Sequence, residues 1–340
     1  MQKLFKLLSR IPSRLFQILG PVLILSLALF RTLPALLLDN PAQFFNKPGL
    51  KIAQYTLWVL IILVCLLCEL SLHISQNPKD WIRCRNFHLG TLLVAYILMV
   101  FFAHGWVNEV TTSSWNTCYV EPDTKSYILP YNIKSVRTPL YPLFSQVASS
   151  GAAASIRVND LPFNQPLTSG VLPLLQIVQS QKLILLTSAL VLAMTMVYLL
   201  HSILPIPLVL LFLDFDFFTT YKAYVLSEAL AQALLILLAA CLLAYLYKAW
   251  RWLLPFSALL VAMLILTRPS NAYGLILFAA ILLWALLKDF KRSRFYILAS
   301  ILISAVLVFG YICASQKRFL LGQICQNRVP ESKSFSGDFI

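Results

Sequence analysis

Apolar runs over 15–38, 52–72, 88–107, 172–202, 203–220, 226–247, 253–268, 271–287 and 295–315 leave this chain little freedom in how it folds. A bilayer core of about 30 Å takes about 20 apolar residues as helix, and lipid tolerates no unpaired backbone along the way. The expected fold class is all-α: a polytopic transmembrane helical bundle of about nine spans, with a long outer loop containing short interfacial helices. The fourth run is expected to include a non-membrane turn at its start. The fifth is the weak one, because Ile203–Leu213 makes only about 16 Å of helix. Charge decides it. With nine spans and a cytoplasmic N-terminus, Lys3, Lys6, Lys79, Arg83, Arg85, Lys248, Arg251 and the basic cluster 288–294 all fall inside. Without the fifth span, the last of these would flip outward, against the positive-inside rule.

Composition agrees with a membrane setting. The chain of 340 residues is 59% hydrophobic and 12% charged, about half the charge of a soluble domain. Its mean hydropathy is +0.79. The net charge of +14 punctuates the apolar runs instead of covering a water-facing domain, which argues against nucleic acid as a partner. The basic start of the chain, followed by 15–30, reads as a retained anchor, since no small-x-small cleavage site follows. All but Glu69, Asp80 and Asp289 of the 13 acids fall on the outer side. Cys65 and Cys68 form a CxxC without a partner pair and read as packing residues, like Cys241 and Cys313. His73, His88, His104 and His201 stand near span ends without clustering and read as interfacial.

Four regions follow: an N-terminal three-span region (1–107), an outer loop (108–171), a six-span core (172–315) and an outward tail (316–340). The outer loop holds the densest polar sequence, Glu121–Phe144. Glu121 and Asp123 lie two residues apart among aromatics and prolines, surroundings that can desolvate a carboxylate into a general base. Spacing alone does not choose between them. Arg137, in Val136-Arg137-Thr138-Pro139-Leu140-Tyr141-Pro142, is either a snorkelling cation or a bidentate phosphate ligand. After Pro139, a short helix is expected at the interface. Asp214 and Asp216 make a weak metal pair. Lys222 and Glu228 follow, the acid at the start of a span where the helix dipole favours it. Arg268, in Leu266-Thr267-Arg268-Pro269, needs an anion or a carboxylate near the membrane.

In this order, Asp123 with Tyr127, Arg137-Thr-Pro-Leu-Tyr-Pro142, Val225-Leu-Ser-Glu228 and Leu266-Thr-Arg-Pro269, the motifs resemble those of the C-type integral membrane glycosyltransferases. The nearest branch is the dolichyl-phosphate-mannose–protein mannosyltransferase-like group, with the lipid A aminoarabinose transferases as cousins. The resemblance covers roughly 105–315. It implies a polyprenyl-phosphate-linked sugar donor, an acceptor glycan, lipid or protein, and inverting transfer on the outer face of the cell (inner or plasma) membrane. Asp123 would be the general base. Glu121, Tyr127, Tyr141 and Glu228 would contact substrate, and the lipid phosphate would leave toward Arg137, Lys222 or Arg268. No cofactor is firmly indicated, a divalent cation included. Two extra spans precede the acidic loop compared with the family. Members usually continue beyond the equivalent of 316–340, so a fragment or shortened paralogue is expected. The alternative is a non-enzymatic multi-pass protein, a lipid or solute transporter or an assembly partner. Transporters place their ionisable groups near the midplane, whereas these crowd one face.

Overall fold

The computed structural model describes residues 13–37, 47–75, 78–98, 118–120, 124–129, 138–163, 165, 167, 172–207, 224–248, 250–267, parts of 276–287, and 294–306. Its elements are helices α1 (Ser13–Leu37), α2 (Pro48–Ser75), α3 (Pro78–Leu98), α4 (Thr124–Ile128), α5 (Leu140–Ala148), α6 (Leu172–Leu200), α7 (Ser227–Lys248) and α8 (Leu253–Thr267). A further apolar helix, α9, spans Arg294–Val306. No strand occurs among the described residues; Tyr119 and Tyr224 form an isolated parallel bridge. Among the described residues three helices, α2, α6 and α7, are long and apolar enough to cross a membrane. The protein is a membrane protein on that evidence. Only 39% of the most apolar window of α2 is buried against protein, so most of that helix faces outward, as a lipid-exposed span does.

Local signals explain where the helices begin and end. Pro48 and Pro78 open α2 and α3 at the position where a missing N–H costs nothing. α3 starts ten residues before the expected 88, which corrects that boundary. Asp80 in its first turn suits the positive end of the helix, so the polar Pro78–Phe87 is helical and carries Lys79, Arg83 and Arg85. α6 is continuous from Leu172, which corrects the expected turn at its start; Pro173 lies in the first turn, where it is tolerated. His201, at φ 50°, ends α6 in the left-handed region. Only 203–207 of the fifth run is described, and 271–287 only in fragments. The expected short helix after Pro139 is α5. It closes with Gly151 N donating to Gln146 O at 2.8 Å and Ser150 N to Val147 O at 3.3 Å, a Schellman reversal with Ser150 and Gly151 at positive φ. Several hydroxyls inside the apolar helices bond to the preceding turn, as Thr32 does to Ala28 O and Thr195 to Val191 O.

Two hydrophobic cores meet along α6. Its later part (Leu186, Ala189, Ala193, Val197) packs with α1, α2 and α3. Its earlier part (Leu174, Leu175, Val178, Leu185) packs with α7, α8 and the loop segments Cys118–Val120, α4 and α5. Polar clips tie the first core together: Tyr96 Oη meets Thr187 Oγ1 at 2.6 Å, and Ile203 N donates to Glu69 Oε2 at 2.9 Å. The histidines divide. His201 is exposed and His73 lies beside Glu69, 3.5 Å away. His104 lies outside the described residues. His88 is fully buried between α1 and α3, which corrects its interfacial reading.

Candidate functional site

Segments more than a hundred residues apart converge on the ends of α6, α7 and α8. The loop runs beside the start of α7: Val225 N donates to Tyr119 O at 3.3 Å, and the Tyr119 and Tyr224 rings stack at 5.0 Å. α4 docks next to it. Thr124 Oγ1 reaches Val225 O at 3.5 Å, and Tyr127 Oη lies 3.3 Å from Ser227 Oγ. α5 then clamps α4, with Ser145 Oγ donating to Tyr127 O and Gln146 Nε2 to Ile128 O, both at 2.6 Å. Thr138 Oγ1, just before α5, donates to Thr267 O at the end of α8 at 2.7 Å.

Tyr141 stands at the centre. Its side chain is fully buried, packs edge-on against Tyr127 at 5.0 Å, and donates to Gln181 Oε1 of α6 at 2.8 Å. Gln181 Nε2 in turn donates to Tyr224 O, so one relay links α5, α6 and the start of α7. A saturated polar network in a dry site fixes one arrangement of loop against helices. Beside Gln181 on α6 is the buried Lys182, in electrostatic contact with Cys118. Burial pushes the Cys118 thiol up to about 12, with the Lys182 charge opposing. Burial also holds the Tyr141 hydroxyl well above its usual range, helped by Cys118, Tyr127 and Glu228. Both groups are therefore neutral at physiological pH, and Tyr141 is a hydrogen-bond donor there.

Of the expected site residues, Tyr127, Tyr141 and Glu228 are described. Tyr127 and Tyr141 form the floor of the cluster. Glu228 is half-buried in the first turn of α7, as expected at a helix N-terminus. Glu121, Asp123, Arg137, Lys222 and Arg268 lie outside the described residues, as do Asp214 and Asp216. Their neighbours in sequence do not: Thr124 follows Asp123, Thr138 follows Arg137, and Thr267 precedes Arg268. Reading the sequence missed Gln181 and Lys182. The signal was present, because Lys182 is the sole basic residue of 172–200 short of His201 and follows Gln179-Ser180-Gln181. Comparison with known protein families, with curated proteins and with solved structures finds no match.

Proposed function

We propose that the protein is a membrane glycosyltransferase that moves a sugar from a polyprenyl-phosphate donor to an acceptor at the outer face of the membrane. The observation that carries this reading is the hydrogen bonding among Thr124, Tyr127, Thr138, Ser227 and Thr267 and their backbone neighbours. These residues belong to the four motifs on which the resemblance rests.

In this reading the bundle has about nine spans, with the N-terminus cytoplasmic and the loop outside. Asp123 takes the proton of the acceptor hydroxyl, and the oxygen attacks the anomeric carbon from the face opposite the phosphate. The bond from that carbon to the phosphate oxygen breaks, configuration inverts, and the lipid phosphate departs with the bonding pair. The negative charge developing there is met by Arg137, Lys222 and Arg268, because cations aimed at the leaving oxygen lower the barrier. Lys182, buried on α6, adds positive potential. Tyr127 and Tyr141 hold the loop against α7 and α6, and Glu121 and Glu228 contact the sugar or the acceptor.

The test is transfer by purified protein in nanodiscs, offered a panel of polyprenyl-phosphate sugars, with release of the lipid phosphate followed. One donor should be consumed, and Asp123→Asn should lower turnover at least about a hundredfold, the scale of a lost general base. Turnover at the wild-type rate in Asp123→Asn, or no release from any donor, would overturn the assignment.

A further inference from the structure

We propose that Cys68, Cys84 and His88, gathered between α2 and α3, form a binding site for a single thiophilic d10 metal cation, Zn2+ or Cu+. Cys68 and Cys84 Sγ are 3.4 Å apart, and Cys84 Sγ is 3.4 Å from His88 Nδ1. All three side chains are buried, and their ligand atoms lie within 4.8 Å of one another. A tetrahedral zinc with Zn–S of about 2.3 Å sets two sulfurs about 3.8 Å apart and a sulfur and a nitrogen about 3.5 Å apart. These two edges fall within a few tenths of an ångström of those values. Cys68, read from sequence as packing, therefore has two ligand-bearing neighbours, Cys84 and His88, at an i, i+4 spacing on one face of α3.

By its 3.4 Å distance to Cys84 Sγ, His88 Nδ1 is the ligand nitrogen; in the structure it sits 2.9 Å from Cys84 O, a bond that metal binding would replace. An access route exists as well. A cavity of about 390 Å³ between α1 and α3 is lined by Gln17, Ile18, Arg83, Cys84 and Phe87, so it reaches the Cys84 ligand from outside.

Charge favours zinc over copper. On binding, Cys68 and Cys84 each release a thiol proton to water, and two thiolates with a neutral imidazole bring Zn2+ to zero net charge. A neutral centre is the one a low-dielectric helix pair tolerates best, whereas Cu+ leaves one negative charge. Cys65 is also buried, three residues from Cys68 on the same helix. The site would be structural, pinning α2 to α3 about two turns from their connection.

The full chain, purified under reducing and anaerobic conditions, should carry about one zinc or copper ion per chain by elemental analysis. After chelation it should take up Co2+ with a thiolate-to-cobalt charge-transfer band, a readout that needs no variant. Metal content should fall at least about tenfold in Cys84→Ser and His88→Ala. Cys241→Ser, a buried cysteine of α7 outside the cluster, should retain it. Zinc in the isolated protein confirms the charge argument, and copper confirms the site while rejecting that argument. A wild-type protein that neither retains Zn2+ or Cu+ nor binds Co2+, a Cys68–Cys84 disulfide persisting under reducing conditions, or equal metal content in Cys84→Ser would overturn the proposal.

Discussion

A single hydroxyl at Tyr141 connects three elements, and its removal measures how firmly the loop is held. Phenylalanine keeps the ring contacts with Tyr127 and Phe144 but removes the hydroxyl that donates to the buried Gln181 Oε1. Losing an intramolecular hydrogen bond costs about 1 kcal/mol. Tyr141→Phe should therefore lower the thermal midpoint in detergent, and a midpoint equal to that of the wild type would show the relay to be incidental. Tyr127, Tyr141 and Glu228 were legible in the sequence because unusual polarity in an apolar chain marks them. Their burial was not legible. Spacing does not say whether a loop tyrosine faces lipid head groups or folds back onto helix ends. The partner that decides the matter, Gln181, lies 40 residues away. Cys118 illustrates the same limit. Its place in an outer loop gives no hint that its sulfur is enclosed in the core with the α4 and α5 residues.

At the scale of elements, α1 and α3 approach closely because Gly20 has no side chain. A Cβ placed there would stand 2.5 Å from His88 Nε2, inside van der Waals contact, and His88 is held in turn by its bond to Cys84 O. Overpacking of this kind costs about 1 to 3 kcal/mol. Gly90 on α3 is exposed and would meet nothing within 4 Å. There alanine removes only the conformational freedom of glycine, worth up to about 1 kcal/mol in favour of the helix. Two chemically identical substitutions should thus move stability in opposite directions, Gly20→Ala downward and Gly90→Ala level or upward. Equal shifts in a thermal unfolding series would refute the α1–α3 register. Helix existence was plain from apolar length alone. The start of α3 was not, because hydropathy registers lipid contact while Pro78 and Asp80 start the helix before the apolar stretch begins. The neighbours of Cys68 were hidden for a related reason: Cys84 precedes the apolar run that begins at 88, although it is already inside α3.

For the whole molecule, α6 is the shared wall, since one part of it belongs to the core with α1–α3 and the other to the core with the loop, α7 and α8. α7 then sets the membrane geometry. Its Ser227 end holds Tyr127 of the loop, and its Lys248 end lies about 33 Å away at 1.5 Å per residue, about the thickness of a bilayer core. If α7 crosses, the loop and Lys248 must face opposite compartments, and the positive-inside rule puts Lys248 in the cytoplasm. Ser150, exposed just past α5, and Lys248, exposed at the end of α7, are the positions that report this. The described cysteines are all buried, so they compete little for reagent, and Cys313 and Cys325 can be replaced beforehand. In right-side-out vesicles, a membrane-impermeant maleimide should label Ser150→Cys at once and Lys248→Cys only after permeabilisation. Labelling of both from outside would mean that α7 does not span. The reverse pattern would turn the loop to the cytoplasm and, with it, remove the outer-face lipid-linked donor from the proposed reaction.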